Sequence, residues 1–179
     1  MNEEMLILVN EQDEPIGSMP KTEVHLKGLL HRAFSVFLFN SRGEMLLQQR
    51  ALHKYHSAGL WSNTCCSHPR VDETVEQAVK RRLVEEMGLT ADVQFLYTFK
   101  YKASLENGYT EHELDHVYYG VCDAIPLLNQ DEVKDWRYVS LDAVKIEMQQ
   151  HPEKFTAWFK ICFPEMESRL KHLVTGTAG

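Results

Sequence analysis

Residues 74 to 88 constrain this chain most. Thr74 followed three residues later by Gln77 has the form of a capping box, and Gly88 supplies a helix stop. Between them Val75, Ala78, Val79, Leu83 and Met87 recur at spacings of three and four, which predicts an amphipathic helix over 74–87 with one buried stripe. An advance of about 100° per residue puts Arg82 and Glu86 inside that stripe, and Arg81 and Glu85 on the solvated side. An Arg and a Glu one turn apart can be an ordinary ion pair worth a few tenths of a kcal/mol. They can also mark an edge that faces a polar cavity. Charges taken out of water need partners, and a metal-bound anionic ligand would serve both.

The rest of the chain supplies strands for this helix to cover. Met5 to Val9 reads as a strand closed by the turn signal Asp13-Glu14-Pro15-Ile16-Gly17. Arg32 to Phe39 and Glu44 to Gln49 flank Asn40-Ser41-Arg42-Gly43 and predict a hairpin. Trp61 to Cys66 reads as a short extended segment ended at Pro69, because the residue before proline disfavours helix. Phe95 to Lys102 and Glu111 to Cys122 read as strands around Glu106-Asn107-Gly108, and Trp136 to Val139 as a last strand. Ser140 can cap a helix to about Gln150. A final helix is expected from about Glu153 to beyond Leu170, kinked or split at Pro164. This order predicts an α+β fold, an α/β/α sandwich with a mixed sheet and additional C-terminal helices.

Size and charge narrow the function classes. At 179 residues the chain predicts one domain over 1–172, with a loose tail over 173–179. A net charge of -7 argues against a nucleic-acid binder. No apolar run approaches membrane-spanning length, and the acidic start does not fit a secretory signal. Four cysteines, two of them adjacent, do not form a disulfide framework, so a reducing, cytoplasmic setting with free thiols is expected.

The reactive residues concentrate in three places. Ser62-Asn63-Thr64-Cys65-Cys66-Ser67-His68-Pro69 puts a thiol two residues before an imidazole. His25 and His31 lie upstream. Downstream, Glu111 and Glu113 flank His112, and alternate strand residues share a face, so the two carboxylates can converge while His112 turns away. With nine histidines in the chain, many are surface or core residues, and His112 with His116 is a competing alternate-face pair. Imidazoles mixed with carboxylates suit a borderline divalent ion in a near-octahedral site better than a closed tetrahedral one.

Ser67 to Leu89 resembles a Nudix box: a small residue, five positions, Glu73, seven positions, then Arg81-Arg82-Leu83-Val84-Glu85-Glu86-Met87-Gly88-Leu89. The family pattern has Gly where Ser67 stands and Glu where Arg82 stands. In Nudix hydrolases that Glu helps hold the catalytic metal, so its replacement by Arg speaks against diphosphate hydrolysis while leaving the fold. The surrounding motifs narrow the match. His31-Arg32-Ala33-Phe34-Ser35, Gln49-Arg50, Asn63 to Pro69, Tyr101-Lys102-Ala103, Glu111-His112-Glu113-Leu114-Asp115 and Trp158-Phe159-Lys160-Ile161 are similar, in order and spacing, to type 1 isopentenyl diphosphate isomerases. The similarity runs over roughly residues 4 to 170.

That resemblance implies a 1,3-allylic proton shift from isopentenyl diphosphate to dimethylallyl diphosphate. An unactivated alkene must be protonated and the resulting tertiary cation deprotonated, which needs two tuned groups flanking one substrate. The resemblance assigns these to Cys66 and Glu113. The sequence does not decide which is the acid; Glu113 with Tyr101 as acid and Cys66 as base is the expectation. Cys65 is expected to be a small buried residue. Trp158 is the implied cation stabiliser. His25, His31, His68, Glu111 and Glu113 are the implied ligands of one divalent metal, Zn, Mn or Mg. Lys21, Arg50, Lys54 and Arg82 are implied around the diphosphate, with Glu86 on a substrate-bound Mg²⁺. The expected partner is a small-molecule diphosphate, with neither nucleic acid nor membrane, and the chain is expected as a monomer or weak homodimer. Two rivals predict other outcomes. A Nudix hydrolase of an organic diphosphate would release phosphate without needing Cys66. A non-enzymatic zinc or redox module would hold metal through Cys65, Cys66 and the histidines without turnover.

Overall fold

The computed structural model describes residues 3–177, with side chains described through residue 171. The elements in chain order are β1 (Met5–Val9), β2 (Pro15–Pro20), α1 (Lys21–Lys27), β3 (His31–Phe39), β4 (Met45–Arg50), β5 (Trp61–Ser62), β6 (Cys65–Ser67), α2 (Val75–Met87), β7 (Val93–Ser104), β8 (Thr110–Val121), β9 (Val133–Val139), α3 (Leu141–Gln150) and α4 (Ala157–Thr177). Short 3₁₀ turns cover Glu106–Gly108 and Pro152–Lys154.

β3 organises the sheet. It runs parallel to β8 from His31↔Glu113 to Phe39↔Val121. It also pairs antiparallel with β6 through Phe34↔Ser67, Ser35↔Cys66 and Val36↔Cys65. β8 pairs with β7, β4 with β5 and β9, and β1 with β2. Successive β3 side chains point to opposite faces. Phe34, Val36 and Leu38 pack with Ala78, Val79, Leu83 and Met87 of α2. Phe37 and Phe39 pack with Val144 of α3 and Phe159, Phe163 and Met166 of α4. Helices therefore cover both faces of a mixed sheet, which is the expected sandwich.

The helix over 75–87 forms as predicted. Thr74 accepts from the Gln77 amide, the Gln77 side chain returns the bond, and left-handed Gly88 (φ 61°) closes the C-terminus. Glu86 is buried within the stripe. Arg81 departs from the expected solvated side: its side chain is only 16% exposed, held by Glu73.

Other boundaries differ. The turn expected at 13–17 gives way to β2, and α1 follows directly; Pro15 and Pro20 sit at the ends of an edge strand, where a missing N–H is tolerated. β3 and β4 form the expected hairpin only at its tip. They share only Phe39↔Met45, and each finds its partner elsewhere. The segment 61–66 is interrupted at Asn63 and Thr64. The last helix starts at Ala157, after the 3₁₀ turn, and continues through Pro164 without splitting. Buried Phe163 and Met166 on either side hold it to the core. The expected tail, 173–179, lies outside the residues whose side chains are described.

Candidate active site

The sheet register assembles the site. Glu113 faces His31 across the parallel β3–β8 ladder and Tyr101 across the antiparallel β7–β8 ladder, so the three form one row. Glu111 lies two residues back on the same face. His112 turns away, as the pleat requires, and meets the Gly28 carbonyl. His116 does not compete either: its Nδ1 meets the Ala33 carbonyl and its Nε2 meets Asp13 at 2.8 Å.

Three histidines converge on these carboxylates. α1 is a short helix closed by left-handed Gly28, and it delivers His25 fully buried. A carbonyl can only accept, so Nδ1 of His25 donates to Lys21 O (2.8 Å) and Nδ1 of His31 donates to Leu29 O (2.9 Å). Each ring thereby offers its Nε2 lone pair inward. His25 Nε2 lies 3.4 Å from Glu111 Oε2, and His31 Nε2 lies 3.4 Å from Glu113 Oε2. His68 Nε2 lies 3.0 Å from Glu113 Oε2. One ligand atom each from His25, His31, His68 and Glu111 lies within 4.8 Å of the others. His25 Nε2, His31 Nε2 and Glu111 Oε2 are buried with no hydrogen-bond partner. Inward-facing lone pairs repel one another unless a cation lies between them, so these residues fit a divalent metal. Glu86 stands apart from this cluster.

Burial pushes His68 down to about 3, so its ring is neutral. Burial and the neighbouring Glu113 charge raise Glu111. Burial acts to raise Glu113 too, but the adjacent His31 and His68 imidazoles hold it well below the usual range. The Tyr101 phenol donates to Glu113 Oε1, and burial with that carboxylate raises the phenol well above its ordinary value.

The pleat also separates the two adjacent thiols. Cys65 points to the α2 side, fully buried, and its thiol donates to Glu86 Oε2 at 2.7 Å. Cys66 points to the opposite side. It donates to Asn63 Oδ1 at 3.0 Å and lies 3.5 Å from Ser35 Oγ. Ser35 in turn donates to buried Asp115. Burial, then the Asp115 charge, pushes the Cys66 thiol up, so without a nearby cation it keeps its proton.

One cleft of about 50 Å³ gathers most of the predicted residues. Cys66, His68, Glu111 and Glu113 line it together with Lys21, Arg50, Lys54, Arg82, Glu86 and Trp158. His25, His31 and Tyr101 sit one layer behind, reaching the cleft through Glu111 and Glu113. Arg82 reaches Glu85 at 2.8 Å and both Glu86 and Glu132 at 3.5 Å. The Arg50 guanidinium lies 5.2 Å from the Trp158 ring centre, so the indole already presents its face to a cation.

Sequence reasoning missed three residues of this wall. Tyr55 and His56 lie on the loop after β4. Burial and the charge of Arg50 push His56 down to about 2, so it is a neutral ring beside Trp158. Glu132, just before β9, holds Lys54 at 2.6 Å. No spacing signals these positions, because each is brought in by a loop.

Comparison with known proteins gives the same picture. Residues 29–159 match the NUDIX domain family. An isopentenyl-diphosphate Delta-isomerase of Pectobacterium atrosepticum is 54% identical over 158 residues, covering 88% of each chain. One from Aliivibrio fischeri strain ES114 is 46% identical over 178 residues, covering 95% of this chain and 98% of its own. Among solved structures, DR0079 from Deinococcus radiodurans superposes with a TM-score of 0.69 at 21% identity, over 82% of this chain and 90% of its own; this likeness is one of fold. Among the described residues no helix is long and apolar enough to cross a membrane. Fold, His/Glu cluster and sequence similarity over nearly nine-tenths of the chain converge, and this chain belongs to the Nudix-fold isopentenyl-diphosphate Delta-isomerases.

Proposed function

We propose that this chain interconverts isopentenyl diphosphate and dimethylallyl diphosphate by moving one proton onto the terminal alkene carbon and removing another two carbons away. The observation that carries this reading is that Cys66 and Glu113 line the same cleft as four cationic side chains. A flat hydrocarbon held between a sulfur and a carboxylate can be protonated on one side and deprotonated on the other, while its charged tail rests on Lys21, Arg50, Lys54 and Arg82. Arg supplies bidentate geometry for phosphate oxygens and Lys a point charge.

In this reading Glu113 with Tyr101 delivers the proton, the phenol–carboxyl pair sharing one mobile hydrogen. Cys66 takes the proton lost by the tertiary cation, and the Trp158 face stabilises that cation. Asn63 and Ser35 fix the direction of the Cys66 sulfur. His25, His31, His68, Glu111 and Glu113 would hold one divalent ion, Zn, Mn or Mg, and Glu86 would serve a Mg²⁺ carried in with the diphosphate. A dication in the His/Glu cluster would be the largest charge in the site and would favour the Cys66 thiolate. The same reading takes residues 1–172 as one catalytic domain. It acts on a small-molecule diphosphate in the cytoplasm as a monomer or weak homodimer, with neither nucleic acid nor membrane as partner.

The test is incubation with isopentenyl diphosphate and Mg²⁺ in deuterated water. Deuterium-labelled dimethylallyl diphosphate should form, and Cys66→Ala should abolish it. Release of inorganic phosphate without isomerisation would replace this reading with diphosphate hydrolysis.

A further inference from the structure

Glu132 occupies an unexpected position for a carboxylate. It lines the cleft whose cations are Lys21, Arg50, Lys54 and Arg82. Its Oε2 lies 2.6 Å from Lys54 Nζ and 3.5 Å from Arg82 Nη2, so it bridges two of them. The backbone beneath it is fixed: its amide donates to Asn129 O (2.9 Å), and its carbonyl accepts from Ala51 N (3.1 Å). The Glu132 side chain is only 25% exposed. Partial burial acts to raise its carboxyl, but the Lys54 hydrogen bond, backed by Arg82 and Lys21, holds it below the usual range, so it is ionised.

A carboxylate there works against a bare diphosphate. The four cations with Glu86 and Glu132 leave the tail-binding end at 4 - 2 = +2. A divalent ion held by the His/Glu cluster would balance the Glu111 and Glu113 charges there. A diphosphate ester at neutral pH carries roughly -3. Bare diphosphate therefore leaves the end about one charge short, and Glu132 competes directly for two of the same donors. One Mg²⁺ entering with the diphosphate reverses the deficit. Without Glu132 the end would stand at 4 - 1 = +3 and would already match a bare diphosphate.

We propose that Glu132 is the residue that makes this cleft select a metal-complexed diphosphate over a free one. It acts as a fixed internal anion that occupies Lys54 and Arg82 until a tail of lower net charge arrives. The proposal rests on the diphosphate reading above and adds the form in which that tail is accepted.

The experiment titrates inorganic diphosphate by calorimetry into the full chain with its His/Glu metal in place, once with excess Mg²⁺ and once with none added. Wild type should bind clearly tighter with Mg²⁺. Glu132→Gln, which keeps shape and a hydrogen-bonding oxygen for Lys54, should tighten metal-free diphosphate about tenfold, or about 1.4 kcal/mol. It should change the Mg²⁺-complexed form by less than about threefold. Unchanged or weaker metal-free binding, or an equal change in both conditions, would overturn the proposal and make Glu132 a plain organiser of the two cations. Loss of Mg²⁺-diphosphate binding in the variant would do the same. If wild type binds diphosphate under neither condition, the functional reading itself fails, which is distinct from a variant that behaves like wild type.

Discussion

Tyr101 and Glu113 sit directly opposite each other on β7 and β8, and the phenol donates its hydrogen bond into the carboxylate. Both are buried, and Glu113 also takes His31 and His68 on its other oxygen. One carboxylate thus joins a phenol on one side to the imidazole cluster on the other. The phenol thus gives a proton at Glu113 a path away from the histidines.

Tyr101→Phe removes that path while keeping the ring and its stacking on Phe99 (centroids 5.5 Å apart). If the phenol–carboxyl pair carries the proton, kcat should fall by about 10²-fold or more, with KM for isopentenyl diphosphate within about threefold. Steady-state kinetics at saturating Mg²⁺ measure both. A fall in KM-linked binding with kcat intact would make Tyr101 a packing residue.

Removing the metal should cost stability as well as activity. A cation that binds only the folded cluster adds about 2.7 kcal/mol at a free concentration a hundredfold above its Kd, which for a chain of this size is about 5–10 °C in Tm. Chelation should lower Tm by that order and re-addition should restore it. His31→Gln should show low metal content and no response to the chelator. The deciding readouts are elemental analysis and thermal melts; metal lost from wild type with no shift in Tm would count against a folded-state site.

The Glu73–Arg81 pair predicts a pH effect away from the cleft. Arg81 donates to both Glu73 oxygens, at 2.7 and 2.8 Å, and both side chains are largely covered. The Arg81 hydrogen bonds hold the Glu73 carboxyl below its ordinary value of 4.5. A carboxyl lowered on folding contributes stability above its unfolded value, and that contribution is lost as pH falls through the folded one. Glu73→Gln should therefore destabilise by about 1 kcal/mol at neutral pH. The gap to wild type should narrow as pH drops below about 4.5, seen in denaturant unfolding at several pH values. A constant gap would assign the cost to packing.

How far the sequence reached follows from the range of each interaction. α2, with its capping box and Gly88 stop, was legible because every signal lies within fifteen residues. Arg82 and Glu86 stood out on its wheel for the same reason. The convergence of Glu111 and Glu113 followed from the two-residue pleat. The partnership of β3 with β8 was not legible: a parallel ladder joining residues about eighty apart leaves no local mark, and it confined the expected hairpin with β4 to its tip. β2 and α1 were lost because Pro15 and Gly17 carry the same local signals as a turn. His25, His31 and His68 were separated from the other histidines by resemblance, not by spacing. Glu132 and His56 had no such support, since the loops that carry them are placed by the rest of the fold.

Asn63 offers the sharpest separation of support from chemistry. It is fully buried between β5 and β6, and all its polar positions are used. Nδ2 donates to Val36 O (3.0 Å) and Cys65 O (3.1 Å), which fixes the amide's orientation. Oδ1 then accepts from Ser62 Oγ (2.9 Å) and Cys66 Sγ (3.0 Å). Asn63→Ala removes four buried hydrogen bonds at once, a cost of about 2–4 kcal/mol. If Asn63 also aims the Cys66 sulfur, the substitution should lower kcat about 10–100-fold with KM little changed. The discriminating measurement is a double-mutant cycle with Cys66→Ala. The stability cost should persist in that background, because most of the lost bonds do not involve the thiol. Activity is read in the single variant, because Cys66→Ala already abolishes turnover: a raised KM in Asn63→Ala with kcat unchanged would show that Asn63 acts on the cleft by another route.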